Sequence, residues 1–229
     1  MPPSLPFSEL SKPAFKFLEV FDWARSHYRD RTFNKDELVP TRPGLFYIVE
    51  QGAVRIVGQS QIYVGVKSSV EESLSLESEE VFLGLIAKKQ PFEIISQAPF
   101  QLKAYTHVEQ TSVIWLYWQD VEQWPSLRRA IFENFRYQHQ RKLLWLSILG
   151  QKRSIDRLMG FLALLVEEHG MATPNGYYLP YTLTHTQIAS AIGTTRVTVT
   201  RLMGRLRQQG LIFVDDNNLI GLPGLFPLS

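Results

Sequence analysis

The chain has 229 residues, of which 45% are hydrophobic and 20% charged, so it holds enough apolar material for one large or two modest packed domains. It contains no cysteine, which excludes a disulfide scaffold, a thiolate zinc site, a cysteine-ligated iron–sulfur cluster and a cysteine nucleophile. The formal net charge of +2 is too small to indicate a binding partner. Because the sequence has no signal-peptide pattern and no apolar run of ~20 residues, we expect a cytoplasmic protein with no membrane partner.

The charge is unevenly distributed along the chain. Residues 69–80 carry five glutamates and no basic residue, whereas residues 184–210 carry four arginines and no acidic residue. A solvated helix face would explain such clusters equally well. The arginine-rich end is nevertheless suited to bind an anion. The spacing of its residues has to decide between an anion-binding surface and a solvated helix face.

Short apolar runs rich in β-branched and aromatic residues occupy residues 30 to 118. They cover residues 45–49, 54–57, 61–64 and 112–117 and are separated by glycine and proline turns. This pattern predicts antiparallel strands in a sandwich, jelly roll or barrel. The serine- and glutamate-rich segment 67–80 is predicted to be a solvated loop between strands.

From Pro125 the hydrophobic period becomes helical. One helix of roughly 35 Å is predicted to run to Gly150, and a second, amphipathic helix is predicted over 154–169. Asn134, Gln138 and Arg141 interrupt the apolar stripe of the long helix. The long helix could lie against its own barrel or form a dimer seam, and we favour the seam because polar seam positions can fix register.

Residues 184–193 have the pattern of the first half of a helix-turn-helix. Thr184 is a good N-cap, and Ile188, Ala189 and Ile192 would form one short buried face. Gly193 permits a sharp turn at positive φ. A threonine at 194 or 195 would then cap the next helix.

The second helix of this motif is predicted over 196–209, ended by Gly210. Its apolar positions are Val199, Leu202, Met203 and Leu206, and the opposite side carries Arg196, Val197, Thr200 and Arg201. Arginine forks and methyl-bearing side chains at a helix start are what a major-groove reader needs, so we predict base contacts by these last four residues. We predict phosphate contacts by the flanking Thr184, Gln187, Thr195 and Thr198.

A hairpin over 211–220 follows, which makes the motif a winged helix. Residues 184–202, THTQIASAIGTTRVTVTRL, resemble the winged helix of the CRP/FNR superfamily, and residues 196–201 are similar to its cyanobacterial global nitrogen regulator (NtcA) branch. Residues 46–56 resemble the strand–turn–strand of that family's cyclic-nucleotide-binding-like β-roll. The long helix falls where the family dimerises.

The resemblance implies an α+β protein with three parts: a β-roll (1–122), a long dimerisation helix (123–150) and a winged-helix DNA-binding domain (151–229). It implies a homodimeric transcription regulator that binds double-stranded DNA at a palindrome, with RNA polymerase as a further partner. Val197 replaces the glutamate of cyclic-AMP-type members. We therefore expect GTA-like half-sites, as in the nitrogen-regulator branch.

The effector region departs from the family pattern. Family members that bind cyclic nucleotides carry a glycine–glutamate pair and then an arginine, but here Leu85 follows Gly84 and no arginine lies between residues 85 and 103. This argues against cyclic AMP and weakens the case for a dicarboxylate such as 2-oxoglutarate. The candidate pocket comprises Phe82, Leu83, Gly84 and Leu85 with Arg136 or Arg141, although both arginines are first interpreted as exposed helix residues. We assign no cofactor and leave the effector open.

Three alternatives are kept beside this interpretation. A cupin-like enzyme would need two or three histidines with a carboxylate, but the β-region holds only His107 after His27, so we predict no catalytic residue and no metal ligand. A haem sensor would use one of the five scattered histidines, which include His139, His169 and His185, and none forms a ligand-like pair. The third is a regulator without ligand control, whose β-roll is a dimer scaffold or docks another protein.

Overall fold

A computed structural model describes residues 14–60, 80–95 and 100–224. These ranges contain six helices and twelve strands. The helices are α1 (Ala14–His27), α2 (Trp118–Glu122), α3 (Pro125–Leu149), α4 (Ser154–His169), α5 (His185–Ile192) and α6 (Arg196–Gln208). The strands are β1 (Asp30–Phe33), β2 (Leu38–Val39), β3 (Leu45–Gln51), β4 (Ala53–Ser60), β5 (Val81–Ala87), β6 (Pro91–Phe92), β7 (Phe100–Thr106), β8 (Thr111–Tyr117), β9 (Met171–Thr173), β10 (Gly176–Tyr178), β11 (Phe213–Val214) and β12 (Ile220–Leu222). The predicted strand 61–64 and all of the predicted loop 67–80 except Glu80 lie outside the described residues.

Two antiparallel four-stranded sheets form the N-terminal β-roll, in the orders β1-β8-β3-β6 and β2-β7-β4-β5. Strand β3 is buried on both faces. Tyr47 and Val49 enter the core between the sheets, while Phe46 and Ile48 face the helices outside. The predicted strands at 45–49, 54–57 and 112–117 are confirmed as parts of β3, β4 and β8.

Helix α1 was not expected from the sequence. It packs Val20, Phe21 and Ala24 with Ile131 of α3 against the outer face of the β3–β8 pair. The long helix and α1 therefore cover the same side of the β-roll, which explains why β3 and β8 are apolar on both faces.

A β-bulge in β5 connects the β-roll to the C-terminal part of the chain. Ile56 of β4 pairs with Gly84 and Val57 with Phe82, so Leu83 is the extra residue. The bulge resets the alternation of side chains, and as a result Phe82 and Leu85 both join the C-terminal core. Gly84 has a φ of +137°, a backbone conformation that L side chains rarely adopt, so this position requires glycine. A Cβ there would also displace the flexible end of Lys142 on α3, whose Nζ would lie 2.6 Å away.

Helix α3 has one face against its own chain and one face free of it. Its buried residues are Leu127, Ala130, Ile131, Asn134 and Arg141, and Nε2 of Gln138 donates a 2.7 Å hydrogen bond to the carbonyl of Pro91. The three polar residues that interrupt the apolar pattern thus face the same chain, and the sequence-based placement of them in a dimer seam was wrong. Both predicted helices, 125–149 and 154–169, are confirmed.

The C-terminal part packs α4, α5 and α6 against a four-stranded sheet in the order β11-β12-β10-β9. The predicted hairpin is confirmed as β11 and β12. The short hairpin of β9 and β10 was not expected, since three-residue strands give no clear periodicity and are held here by pairing with β12. No helix in the described ranges has the length and apolar character to cross a membrane.

The β-roll docks directly against α5 and the segment before it. The Ser190 hydroxyl accepts a 2.9 Å hydrogen bond from the amide of Phe82 and donates to the carbonyl of Glu80 at 3.2 Å. Nε1 of Trp145 in α3 donates to the carbonyl of Ala191 at 3.2 Å. Helix α5 is therefore held by both the β-roll and the long helix.

His107 ties the β-roll to the chain just before α5. Its Nε2 lies 2.9 Å from the carbonyl of Thr182, and its buried Nδ1 has no hydrogen-bond partner among the described residues. The pKa of His107 is lowered to about 4, mainly because the ring is buried. The charges of Arg55 and Lys35 also lower this pKa, whereas the hydrogen bond to Thr182 has a smaller, raising effect. The folded state therefore prefers the neutral ring.

This preference predicts a pH-dependent loss of stability. His107 takes up a proton near pH 6.5 in the unfolded chain but only near pH 4 in the folded chain. Its neutral ring therefore contributes fully to the free energy of unfolding above pH 6.5, and this free energy falls by about 3 kcal/mol as the pH is lowered from 6.5 to 4. Urea unfolding between pH 6.5 and 4 measures this decline in the wild type and in His107→Gln, which keeps an N–H donor toward Thr182. We expect a shallower decline in the variant, and parallel curves would contradict the assignment.

Candidate nucleic-acid interface

Helix α5 begins with a complete capping box. The Thr184 hydroxyl accepts a hydrogen bond from the amide of Gln187 at 3.1 Å, and Oε1 of Gln187 accepts one from the amide of Thr184 at 2.9 Å. Both contacts use acceptors. The hydroxyl proton of Thr184 and the side-chain NH₂ of Gln187 remain as donors that the capping box does not use.

The turn between α5 and α6 is held by Gly193 and by a neighbouring arginine. Gly193 has a φ of +63°, the left-handed conformation that the sequence predicted. Arg157 of α4 donates from Nε to the carbonyl of Ile192 at 2.9 Å, so a cation lies at the C-terminus of α5, where it is favoured by the helix dipole.

Helix α6 is capped by Thr195, whose hydroxyl accepts a 3.2 Å hydrogen bond from the amide of Thr198. The sequence left open whether residue 194 or 195 would be the cap. The predicted apolar side is confirmed as buried, with Val199, Leu202, Met203 and Leu206. The buried side fixes which residues α6 turns outward.

The four residues predicted to contact bases share the outward face of α6. Arg196, Val197, Thr200 and Arg201 are all exposed, and Val197 is 78% exposed. An apolar side chain this exposed, at the first turn of a helix and flanked by arginines, gains nothing from the fold of its own chain. The structure thus brings together a cationic face with methyl groups between the charges.

The four residues predicted to contact phosphates lie at the first turns of α5 and α6. Thr184 and Thr195 are exposed, and Gln187 and Thr198 are partly exposed. The N-termini of the two helices offer amide dipoles that favour an anion. The arrangement is therefore suited to fix a phosphate backbone beside the outward face of α6.

His185 is part of this surface and was missed in the sequence as an interface residue. Its Nδ1 lies 2.8 Å from Oγ1 of Thr200, so it joins the start of α5 to α6. The signal was present in the sequence, because His185 directly follows the N-cap residue Thr184 and so lies in the first turn. Its pairing with a residue 15 positions later depends on the angle between the two helices.

Gly204 lies on the outward side of α6, and a Cβ at this position would meet nothing within 4 Å. We expect Gly204→Ala to raise the free energy of unfolding of the DNA-free protein by about 0.5–1 kcal/mol, because alanine costs less backbone entropy in a helix. Thermal unfolding measures this. The matched control is Gly160→Ala in α4, where a Cβ would lie 3.0 Å from the side chain of Ile148 and the gain should be lost. Equal effects at both sites would contradict the prediction.

The candidate effector residues are only partly brought together. Gly84, Leu85 and Arg141 line a cavity of about 50 Å³ between β5, α3 and α4, whereas Arg136 is exposed and does not line it. Ligand pockets commonly measure ~300–1,000 Å³, so this cavity is too small for a nucleotide or a dicarboxylate in the arrangement described. Phe82 packs against Phe161 instead of lining the cavity.

Arg141 is not an exposed helix arginine, contrary to the first interpretation of the sequence. Its Nη1 donates to Glu167 at 2.8 Å, its Nη2 to the carbonyl of Leu164 at 2.6 Å, and its Nε to Glu168 at 3.4 Å. Burial lowers its pKa, but the hydrogen bond to Glu167 and the charges of both glutamates raise it overall. Each nitrogen of the guanidinium already donates one hydrogen bond within the chain, which leaves one N–H on each of Nη1 and Nη2 for an anionic ligand.

The histidines do not assemble into a metal site. Within the part of the chain that the structure describes, no group of three or more histidine, cysteine, aspartate or glutamate side chains could hold a metal ion. His27 contacts the carbonyl of Trp23, and His107 and His185 have the partners given above.

A β-roll, a long helix and a winged helix with a cationic outward face define a DNA-binding regulator. Residues 156–223 match the Crp-like helix-turn-helix domain. The chain is 31% identical over 169 residues to the global nitrogen regulator of Synechococcus elongatus, covering 69% of this chain and 76% of the relative. It is 28% identical to regulatory protein CysR of the same organism, covering 80% and 79%.

Solved structures show the same fold. A CooA mutant from Carboxydothermus hydrogenoformans superposes with a TM-score of 0.65 at 21% identity, covering 90% of each chain. A cyclic nucleotide-binding domain containing protein from Listeria monocytogenes superposes with a TM-score of 0.70 at 12% identity, covering 90% of this chain and 97% of that chain. The chain belongs to the CRP/FNR superfamily of transcription regulators. This is a family of DNA-binding regulators and not of enzymes.

Proposed function

We propose that the protein is a homodimeric transcription regulator that binds a palindrome with GTA-like half-sites without cyclic AMP. The carrying observation is the acid-free outward face of α6, on which Arg196, Val197, Thr200 and Arg201 are exposed together. Arginine can bond both major-groove acceptors of guanine, and methyl groups can contact thymine. The similarity to the global nitrogen regulators supports the GTA-like sequence.

In this proposal phosphate contacts set the position of α6 in the major groove. Thr184, Gln187, Thr195 and Thr198 lie at the helix starts, and the capping contacts leave donors on Thr184 and Gln187. Such contacts carry little sequence information but dominate the salt dependence of affinity. We propose that the regulator acts in the cytoplasm, with RNA polymerase as the partner that reads the bound state.

The exposed stripe of α3 supports the homodimer. Phe132, Leu143 and Leu146 are 53%, 45% and 62% exposed and lie on the side opposite to the buried face. Arg136 and His139 share this stripe and provide polar positions that can fix the register of two helices. The proposed division into a β-roll (1–122), a dimer helix (123–150) and a DNA-binding domain (151–229) follows from this role of α3.

The proposed independence of cyclic AMP rests on Leu85 and Arg141. Leu85, which stands where cyclic-AMP-type members carry a glutamate, is buried in the C-terminal core. Arg141 is engaged by Glu167 and Glu168 of the same chain. Side chains of α4 therefore occupy the cationic group that an anionic effector would use.

We expect Leu146→Glu to weaken dimerisation by on the order of 100-fold or more, because burying a leucine at an interface contributes roughly 1.5–3 kcal/mol and a homodimer loses it in both protomers. Sedimentation equilibrium measures the dimer dissociation constant. Gln140→Glu, an exposed position of α3 outside the stripe, adds the same charge and should leave the constant unchanged. A dimer that tolerates Leu146→Glu would place the seam elsewhere.

Selection of bound DNA from a random pool, with purified protein, no additives and a stated salt concentration, tests the function. We expect a palindrome with GTA-like half-sites about 34 Å apart between centres. Binding that is only salt-sensitive and non-specific would overturn ligand independence. Absence of binding would favour a scaffold that acts through protein contacts.

A further inference from the structure

The hydroxyl group of Thr200 has a role that the proposed base contacts do not explain. Thr200 is exposed on the outward face of α6, between Arg196 and Val197 when the helix is viewed along its axis. Its Oγ1 lies 3.0 Å from the carbonyl oxygen of Arg196 and 2.8 Å from Nδ1 of His185. A residue at the centre of the predicted reading face therefore has its polar atom turned toward its own protein.

The number of protons limits the directions that these two hydrogen bonds can take. A carbonyl oxygen can only accept, so both bonds form together only when the single hydroxyl proton of Thr200 is donated to Arg196 and Nδ1 of His185 carries a proton. In the other tautomer of His185, the Thr200 proton is donated to Nδ1 instead. Thr200 has no proton left to donate to a DNA base.

This loss of a donor limits what Thr200 can recognise. The acceptors that bases present in the major groove, N7 and O6 of guanine, N7 of adenine and O4 of thymine, all require a donor. Two groups of Thr200 remain available, its γ-methyl group and one lone pair of the hydroxyl oxygen. The methyl group matches the C5-methyl group of thymine.

We propose that Thr200 recognises a thymine through its γ-methyl group, and that His185 is a positioning residue that fixes its rotamer. Threonine in a helix divides between two rotamers, and the additional bond to His185 selects one of them. The inference rests on the proposed function. A GTA half-site contains one thymine on each strand, and α6 exposes two methyl-bearing side chains, Val197 and Thr200, between its arginines.

Deoxyuracil, which lacks only the methyl group of thymine, tests this proposal in the operator recovered by selection. Each thymine is replaced in both half-sites, and affinities are measured for wild type, Thr200→Ser, Thr200→Val, Thr200→Ala and Val197→Ala. One methyl contact is worth about fourfold in affinity, or about 15-fold for two half-sites. We expect wild type and Thr200→Val to lose this factor at one thymine, and Thr200→Ser to show no loss there. Val197→Ala is the matched control and should abolish the effect of the other thymine only.

Two results would overturn the proposal while leaving the proposed function intact. The first is an unchanged deoxyuracil effect at every thymine in Thr200→Ser. The second is a Thr200→Val variant that binds as weakly as Thr200→Ala on the unmodified operator, which would mean that the remaining lone pair accepts from a base amine. If wild type shows no preference for the palindrome, the proposed function fails in its ligand-independent form.

Discussion

Replacing Arg141 with alanine is expected to lower the free energy of unfolding by about 3 kcal/mol. The guanidinium is buried between α3 and α4 and bonds Glu167, Glu168 and the carbonyl of Leu164. Removing one partner of a buried ion pair leaves the other charge uncompensated, which costs about 3–5 kcal/mol. The lower value applies because the Glu167 side chain is one-third exposed and can turn to water.

Urea unfolding at pH 7 and a fixed protein concentration measures this effect, since a dimer couples stability to concentration. The control is Arg129→Ala on the same helix, which breaks the exposed ion pair with Glu133 and should cost at most about 0.5 kcal/mol. If both variants lose the same small free energy of unfolding, Arg141 is a solvated residue and is not neutralised by the glutamates of α4.

Arg141 also shows where sequence reasoning ends. An arginine in a helix that is otherwise partly polar is predicted to be exposed, because burial requires partners. Its partners, Glu167 and Glu168, lie more than 25 residues away and reach it only through the packing of α4 on α3. The contacts of His107 with Thr182 and of Ser190 with Phe82 depend on tertiary packing in the same way.

The helix-turn-helix was predictable in detail because its determinants are local. The cap residue Thr184, the turn residue Gly193 and the four buried positions of α6 each act within one or two helical turns. Helix α1 was predictable in principle, since Val20, Phe21 and Ala24 have helical spacing, but it was not expected. Strands β9 and β10 are too short for periodicity and exist through pairing.

The geometry of α6 predicts the largest effect on DNA binding at Arg196. A bidentate arginine–guanine contact is worth about 1–3 kcal/mol of discrimination, and the proposed homodimer would make it twice, so Arg196→Ala should lose about 2–6 kcal/mol of specific binding. Arg196 is exposed in the first turn of α6, the part of a recognition helix that contacts base edges. Affinities for the selected operator and for a scrambled duplex, measured over a range of salt concentrations, give the specific and non-specific parts.

Arg207→Ala removes the same charge from the last turn of α6 and is the matched control. We expect it to weaken binding to both duplexes by a similar factor and to leave the preference for the operator unchanged, because long-range attraction to phosphates does not depend on sequence. Selection repeated with Arg196→Ala should recover a site that has become degenerate at one base pair in each half-site. A loss spread evenly over all sequences would instead make Arg196 a phosphate contact, and base recognition would then rest on Arg201.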